Sequence, residues 1–136
     1  EIASCLVGSE MCIRDSSNAT CAKVNLITGE AYGSAYVFMN SKSVGADLVY
    51  AWSGAKIGAM DSTLAAKIMY PEAGADEIKQ KAADYEKLQD SAASAAARGY
   101  VDRLIDPADT RKYLVAAFEM LYTKYVSEPE KKHGTK

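Results

Sequence analysis

Ala31-Tyr32-Gly33-Ser34-Ala35-Tyr36-Val37-Phe38-Met39 is the stretch on which the reading of this chain turns. It follows a β-like run, Val24-Asn25-Leu26-Ile27-Thr28, and places small residues where a helix would open. Tyr36 to Met39 are apolar on every face, the pattern of a buried helix rather than a surface one. Glycine at a helix start is unfavourable unless the backbone needs a special conformation or a close approach. A strand that feeds small residues into a helix N-terminus leaves the first N–H groups without intrahelical partners, and the helix dipole adds partial positive charge there. The pattern fits an anion or oxyanion site, but on these residues alone packing against a neighbouring strand is the favoured reading.

Beyond this stretch, Ser41-Lys42-Ser43-Val44-Gly45 reads as the fraying end of the helix, with Gly45 as its C-terminal cap. Asp47-Leu48-Val49-Tyr50-Ala51-Trp52 is the next strand, Ser53-Gly54 a turn, and Lys56-Ile57-Gly58-Ala59-Met60 a further short strand. Trp52 is expected to pack a core rather than stack a ligand. Asp61 or Ser62 caps a helix over residues 63–69, and Pro71 stops it. That capping role accounts for Asp61 without invoking a catalytic acid.

A long helix is then expected over residues 75–97, with Ile78, Ala82, Tyr85, Leu88, Ala92 and Ala96 recurring at helical spacing. Asp76, Glu77, Lys79, Lys81, Asp84, Glu86, Lys87 and Asp90 form its solvated face, where local ion pairs contribute a few tenths of a kcal/mol each. Arg98-Gly99 ends it, and Tyr100-Val101-Asp102-Arg103-Leu104-Ile105 is extended. Asp106-Pro107 opens a last helix running to about Tyr125, with Leu114, Val115, Phe118, Leu121, Tyr122 and Tyr125 on one stripe. The polar tail 127–136 contains the single histidine, His133, whose terminal position argues against catalysis.

With 136 residues, 49% hydrophobic and 25% charged, the chain is one globular domain. A net charge of −2 gives no general attraction for nucleic acid or anionic membranes. No apolar run approaches the roughly 20 residues that span a bilayer. Three cysteines, without metal-ligand spacing, argue against a disulfide framework or a zinc site, and cytoplasm is the default compartment. Cys21 reads as a small core residue. No Ser-His-Asp set, Cys-His pair or metal cluster is evident.

The stretch Leu6-Val7-Gly8-Ser9-Glu10-Met11-Cys12-Ile13-Arg14-Asp15-Ser16 has neither helical nor strand periodicity. It resembles the in-frame translation of a transposase adapter used in sequencing libraries. Residues 1–16, with Cys5 and Cys12, are therefore set apart from fold reasoning as non-native sequence. The alternative is a genuine N-terminal arm. Residues 17–126 are the expected domain and 127–136 the tail.

From Lys23 onward a second likeness appears. It is carried by Ala31-Tyr32-Gly33-Ser34-Ala35-Tyr36, Asn40-Ser41-Lys42, Gly45-Ala46-Asp47, Tyr50-Ala51-Trp52, Ile105-Asp106-Pro107-Ala108-Asp109-Thr110-Arg111 and Lys131-Lys132-His133-Gly134. Together these resemble the biotin-dependent acyl-CoA carboxyltransferases, including propionyl-CoA and acetyl-CoA carboxylase carboxyltransferase subunits and the related decarboxylase subunits. The likeness is to the second of two crotonase-like halves, so the chain is expected to be a fragment: an α/β, crotonase-like half domain of short strands with surrounding helices.

In such enzymes the urea oxygen of biotin takes negative charge and can itself remove the α-proton of the acyl-CoA, so no side-chain base is needed. The resemblance implies that the backbone N–H groups of Ser34 and Ala35 are the oxyanion donors. It places Gly33 and Tyr36 on the biotin side, and Val37 where acyl-chain preference is tuned. The family commonly has glycine at position 34 and often Pro and Thr at 53 and 54. The cofactor implied is biotin on a separate carrier, with acyl-CoA as substrate and no metal. The partners implied are a biotin carboxyl carrier protein, a biotin carboxylase or decarboxylase membrane subunits, and further copies in a homo-oligomer. Two alternatives stay open: the decarboxylase direction of a sodium-pumping complex, and a non-catalytic module that docks a biotin carrier.

Overall fold

The computed structural model describes residues 13–127. His133, Cys5, Cys12 and most of the polar tail lie outside the described residues. Residues 13–18 are helical (α1), and the Lys23 ammonium donates to the carbonyls of Ser16 and Ser17 at its end, 3.1 and 3.4 Å away. A cation there complements the unpaired carbonyls of a helix C-terminus.

Two parallel sheets follow. The larger joins β1 (Val24–Ile27), β3 (Leu48–Trp52) and β5 (Arg103–Ile105) in the order β1-β3-β5. The smaller pairs β2 (Glu30–Tyr32) with β4 (Lys56–Gly58), in the register Glu30↔Lys56, Ala31↔Ile57, Tyr32↔Gly58. β2 begins only two residues after β1 ends, and it stands between β1 and the helix expected to open at Ala31. Parallel strands are fed by crossovers and buried on both faces, which is why β3 carries an unbroken apolar run. Val49, Tyr50 and Ala51 on it are at most 7% exposed.

One core cluster gathers Ile27, Val49, Ala51, Ile57 and the small residues Ala92 and Ala95 beside the sheets. A second, around Tyr50, Ile105 and Ala117, takes in Trp52, Tyr113 and Leu114. The core role expected of Trp52 is what the structure has, and its indole N–H donates to Thr110 Oγ1 at 3.0 Å, which satisfies the ring's one polar atom.

The helices depart from expectation in instructive ways. α2 is short, Gly33–Phe38, and residues Lys42–Val44 form a separate 3₁₀ turn closed by Gly45 at φ 101°. α3 (Ser62–Met69) is capped as expected: the Asp61 carboxylate accepts from the amides of Thr63 and Leu64, 2.9 and 3.3 Å away. The single helix expected over 75–97 is three pieces instead: α4 (Ala75–Tyr85), a π-helical turn (Glu86–Asp90) and α5 (Ala92–Ala97). Ser91 is extended, bridges to Lys56 of β4 and accepts from the Ser94 amide, so it ends one helix and caps the next. The break rotates the face. Leu88, expected on the apolar stripe, is 69% exposed, and Asp90, expected in solvent, is fully buried.

At the C-terminus, Pro107–Asp109 is a 3₁₀ turn that leads into α6 (Thr110–Met120). The Asp106 side chain makes no cap, and its carbonyl instead accepts from the Asp109 amide at 3.0 Å. α6 packs through Tyr113, Leu114 and Ala117. Its expected stripe is largely open: Val115, Phe118 and Tyr122 line an apolar groove of about 870 Å³, and Tyr125 is exposed. Val37 and Phe38 of α2, and Met39 just after it, are exposed too, against the expectation of burial, because nothing among the described residues packs over them. Cys21 is exposed rather than buried, since it lies in a bend before β1 and outside any packed element. Among the described residues, no helix is long and apolar enough to cross a membrane.

Candidate functional site

The turn from β2 into α2 is where backbone donors stand free. Intrahelical bonding reaches back four residues, so in a helix that begins at Gly33 the amides of Gly33, Ser34 and Ala35 come too early to be used. Tyr32 precedes them in an extended conformation and its side chain caps none of them. Among the described residues, neither Ser34 nor Ala35 donates its amide to any other loop, strand or side chain. Both residues are exposed.

Gly33 makes this turn possible. It has φ +56°, in the left-handed region, and a Cβ on it would sit 3.1 Å from the carbonyl oxygen of Ala59. Conformation and close approach both call for glycine, as the sequence suggested. Gly33→Ala is expected to destabilise the chain by about 1–2 kcal/mol, which a urea titration would read as a lower midpoint.

Two cavities flank α2. One, of about 440 Å³, is lined by Gly33, Tyr36 and Val37 on the helix side and by Ile57, Gly58, Ala59, Arg98 and Tyr100 across from them. The other, of about 410 Å³, runs between Ala35, Tyr36, Met39 and the β1–β2 connection. The structure thus brings Gly33, Tyr36 and Val37 to one cavity and Ala35 to its neighbour, whereas Ser34 lines neither. Tyr36 stands edge-on to Tyr100 with ring centres 6.3 Å apart. Its hydroxyl is buried without a partner, and burial raises its pKa, with Tyr100 adding to the rise. A phenol kept protonated in that position is a hydrogen-bond donor awaiting an acceptor.

Behind the turn lies a group that the sequence did not reveal. Asp90 is fully buried, and among the described residues neither carboxylate oxygen has a partner. It is pressed against Gly58, whose Cβ would fall 2.2 Å from Asp90 Oδ1. Desolvation, and then the charges of Asp61 and Glu86, raise its pKa, while Lys56 and Arg98 oppose the rise. Lys56 is engaged with Glu86 at 3.0 Å, and Arg98 with the Leu88 carbonyl at 3.1 Å. Tyr32 is raised chiefly by its own burial and next by Asp90.

An acid whose folded pKa lies above its unfolded value costs no stability below the unfolded value and a growing amount as pH rises through the folded one. Asp90→Asn is therefore expected to raise the melting temperature at pH 7. The gain should vanish near pH 3.5, and calorimetry at the two pH values checks it.

Asp47 shows the opposite balance. Burial alone would raise it, but the Lys124 ammonium at 2.8 Å and the Lys23 amide at 2.7 Å outweigh that and lower its pKa. It ties the chain before β1 to the segment after α6. Among the described residues, no group of three or more His, Cys, Asp or Glu is placed to hold a metal ion. What the site offers is fixed N–H donors, a buried phenol and apolar walls. Such a set suits stabilisation of an oxyanion rather than nucleophilic attack.

The sequence profile described as Carboxyl transferase domain matches residues 7–135. The chain belongs to that family. The matched span starts within the stretch set apart above as adapter-like. The chain is 47% identical over 124 residues to the putative propionyl-CoA carboxylase beta chain of Bacillus subtilis, covering 87% of this chain and 24% of that one. It is 40% identical over 128 residues to the methylmalonyl-CoA carboxyltransferase 12S subunit of Propionibacterium freudenreichii, with the same two coverages. The crystal structure of transcarboxylase 12S with methylmalonyl-coenzyme A and methylmalonic acid bound superposes with a TM-score of 0.86 at 38% identity. It covers 93% of this chain and 25% of its own. The carboxyl transferase domain chain thus spans about a quarter of the length of the relatives it matches, and its fold is that of their crotonase-like carboxyltransferases.

Proposed function

We propose that this chain supplies the biotin-side oxyanion site of a biotin-dependent carboxyltransferase, which moves CO₂ between carboxybiotin and an acyl-CoA of the propionyl- or acetyl-CoA class. The observation that carries the reading is the pair of unengaged amides on Ser34 and Ala35, in a chain whose relatives are named for that chemistry. When bound, biotin supplies the carboxylated urea and an oxygen on which negative charge grows. Its needs fit what the turn has: fixed donors that cost no reorganisation as charge appears, and on the next residue the buried, unpartnered Tyr36 hydroxyl.

Within this reading Ser34 and Ala35 donate, and Gly33 and Tyr36 shape the biotin side. Val37 presents an apolar wall for the acyl group, and residues 17–126 are the functional unit. The partners are a biotin carboxyl carrier protein and a biotin carboxylase, in a cytoplasmic homo-oligomer whose other segments bind CoA. A relative of the second kind, methylmalonyl-CoA decarboxylase subunit alpha of Propionigenium modestum at 44% identity, keeps the decarboxylase direction as a second reading. Its partners would be membrane-embedded pump subunits.

The test uses a chain extended to the full length of these relatives, assayed for transfer from a carboxylated acyl-CoA to biocytin. Turnover that saturates with biocytin supports the proposal. Capture of a biotin carrier domain without any turnover would instead leave a docking module.

A further inference from the structure

The geometry behind the turn points to Asp90 as its positioning residue: we propose that the Asp90 side chain, seated on Gly58, holds the donor turn in place, and that ionising Asp90 unseats it. The functional meaning of this rests on the reading of Ser34 and Ala35 as donors, but the mechanical coupling does not.

Three contacts in series make the connection. Asp90 Oδ1 comes within 2.2 Å of where a Gly58 Cβ would stand, so the carboxyl lies against bare backbone. Gly58 is the register partner of Tyr32, the residue just before Gly33. The next residue, Ala59, sets its carbonyl oxygen 3.1 Å from the Cβ position of Gly33. A displacement of β4 therefore reaches the first residues of α2 without passing through any flexible side chain. Packed interiors transmit such shifts, because they have no slack to absorb them.

The seat accepts a neutral acid and resists an anion. Facing Asp90 are Asp61 at the start of α3, Glu86 on its own π turn, Lys56 on β4, Arg98 after α5 and the Tyr32 phenol on β2. Both cations are already engaged, Lys56 by Glu86 and Arg98 by the Leu88 carbonyl and Gln89, and neither bonds the carboxyl. An ionised Asp90 would be a buried charge without a hydrogen bond, repelled by two other carboxylates. Leaving the seat or admitting water are its remedies, and both move Gly58.

The experiment follows backbone amide shifts of Gly33, Ser34, Ala35 and Gly58, together with the Asp90 carboxyl carbon, in the isotopically labelled chain as pH is raised. The expected result is one shared step, at the midpoint of the Asp90 carboxyl and above 3.8, which disappears in Asp90→Asn. Amides at 33–35 that stay still while Gly58 and Asp90 titrate would overturn the proposal. So would a step that survives in Asp90→Asn, because it would then belong to Asp61, Glu86 or Glu30. If Asp90→Asn does not fold, the wild-type midpoints decide alone: coincidence supports the coupling, and separate midpoints refute it. Biocytin titrated into the same sample keeps the two ideas apart. Loss of binding without loss of the shared step removes the biotin reading and leaves the coupling standing.

Discussion

Ser34→Pro, built into a chain of the relatives' full length, is expected to lower carboxyl transfer about 10²–10³-fold, which is roughly 3–4 kcal/mol of transition-state stabilisation. Proline deletes one N–H and little else at this position. Ser34 is the second residue of α2, where the amide has no helical partner and the carbonyl four residues back is in a strand, so the ring meets no helical turn. The preceding residue is glycine, which removes the Cβ half of the clash with a proline ring and leaves only that with the Gly33 N–H. Binding of the acyl-CoA should change little, because the lost donor acts on charge that develops during the reaction. Ser34→Ala keeps the amide and should behave as wild type. A Ser34→Pro chain with unaltered circular dichroism and unaltered transfer would strike Ser34 from the donor set. A fall shared by Ser34→Ala would move the effect to the side chain.

How legible was this in the sequence? The backbone features were, because each is written locally. Gly33 signalled a special conformation or close approach at a helix start, Gly45 a C-terminal cap, Asp61 or Ser62 an N-terminal cap, and residues 47–52 a strand; that the strand is central and parallel came from the fold. Asp90 was not, and the reason is physical. Helical periodicity assigns faces only as long as the helix is unbroken, and the π turn with extended Ser91 resets the phase between Tyr85 and Ala92. A residue that a continuous helix would send into solvent is thereby turned inward onto β4. Exposure failed in the other direction. Val37, Phe38, Val115 and Phe118 are apolar in the sequence, yet apolarity names no partner. In a chain about a quarter as long as its relatives, the covering surface is not among the described residues. The free amides at 34 and 35 lay between these cases: the sequence showed that donors stand there, but only the fold shows that no strand or loop takes them up.

Gly58→Ala should destabilise the chain by about 3 kcal/mol, and Asp90→Ala should more than cancel that cost. The added Cβ would lie 2.2 Å from Asp90 Oδ1 and 2.9 Å from its Cγ, whereas the next nearest atom is 3.7 Å away and is also Asp90's own. An exposed carboxylate would swing aside, but Asp90 has no exposed surface, so the clash has to be met by moving β4 or the π turn. Overpacking of that kind costs typically about 1–3 kcal/mol, with the upper end where backbone must shift. The backbone of Gly58 is not in the left-handed region, so alanine itself is allowed there. Once Asp90 is shortened, only the reduced entropy of the unfolded chain remains, and that favours alanine over glycine by about 0.4–1 kcal/mol. The effect of Gly58→Ala should therefore change sign between the two backgrounds. A double-mutant cycle by urea denaturation reads this directly, with a coupling of about 3–4 kcal/mol expected. Additive effects would mean that the carboxyl is not where the structure puts it, and the route from Asp90 through β4 to the donor turn would fall with it.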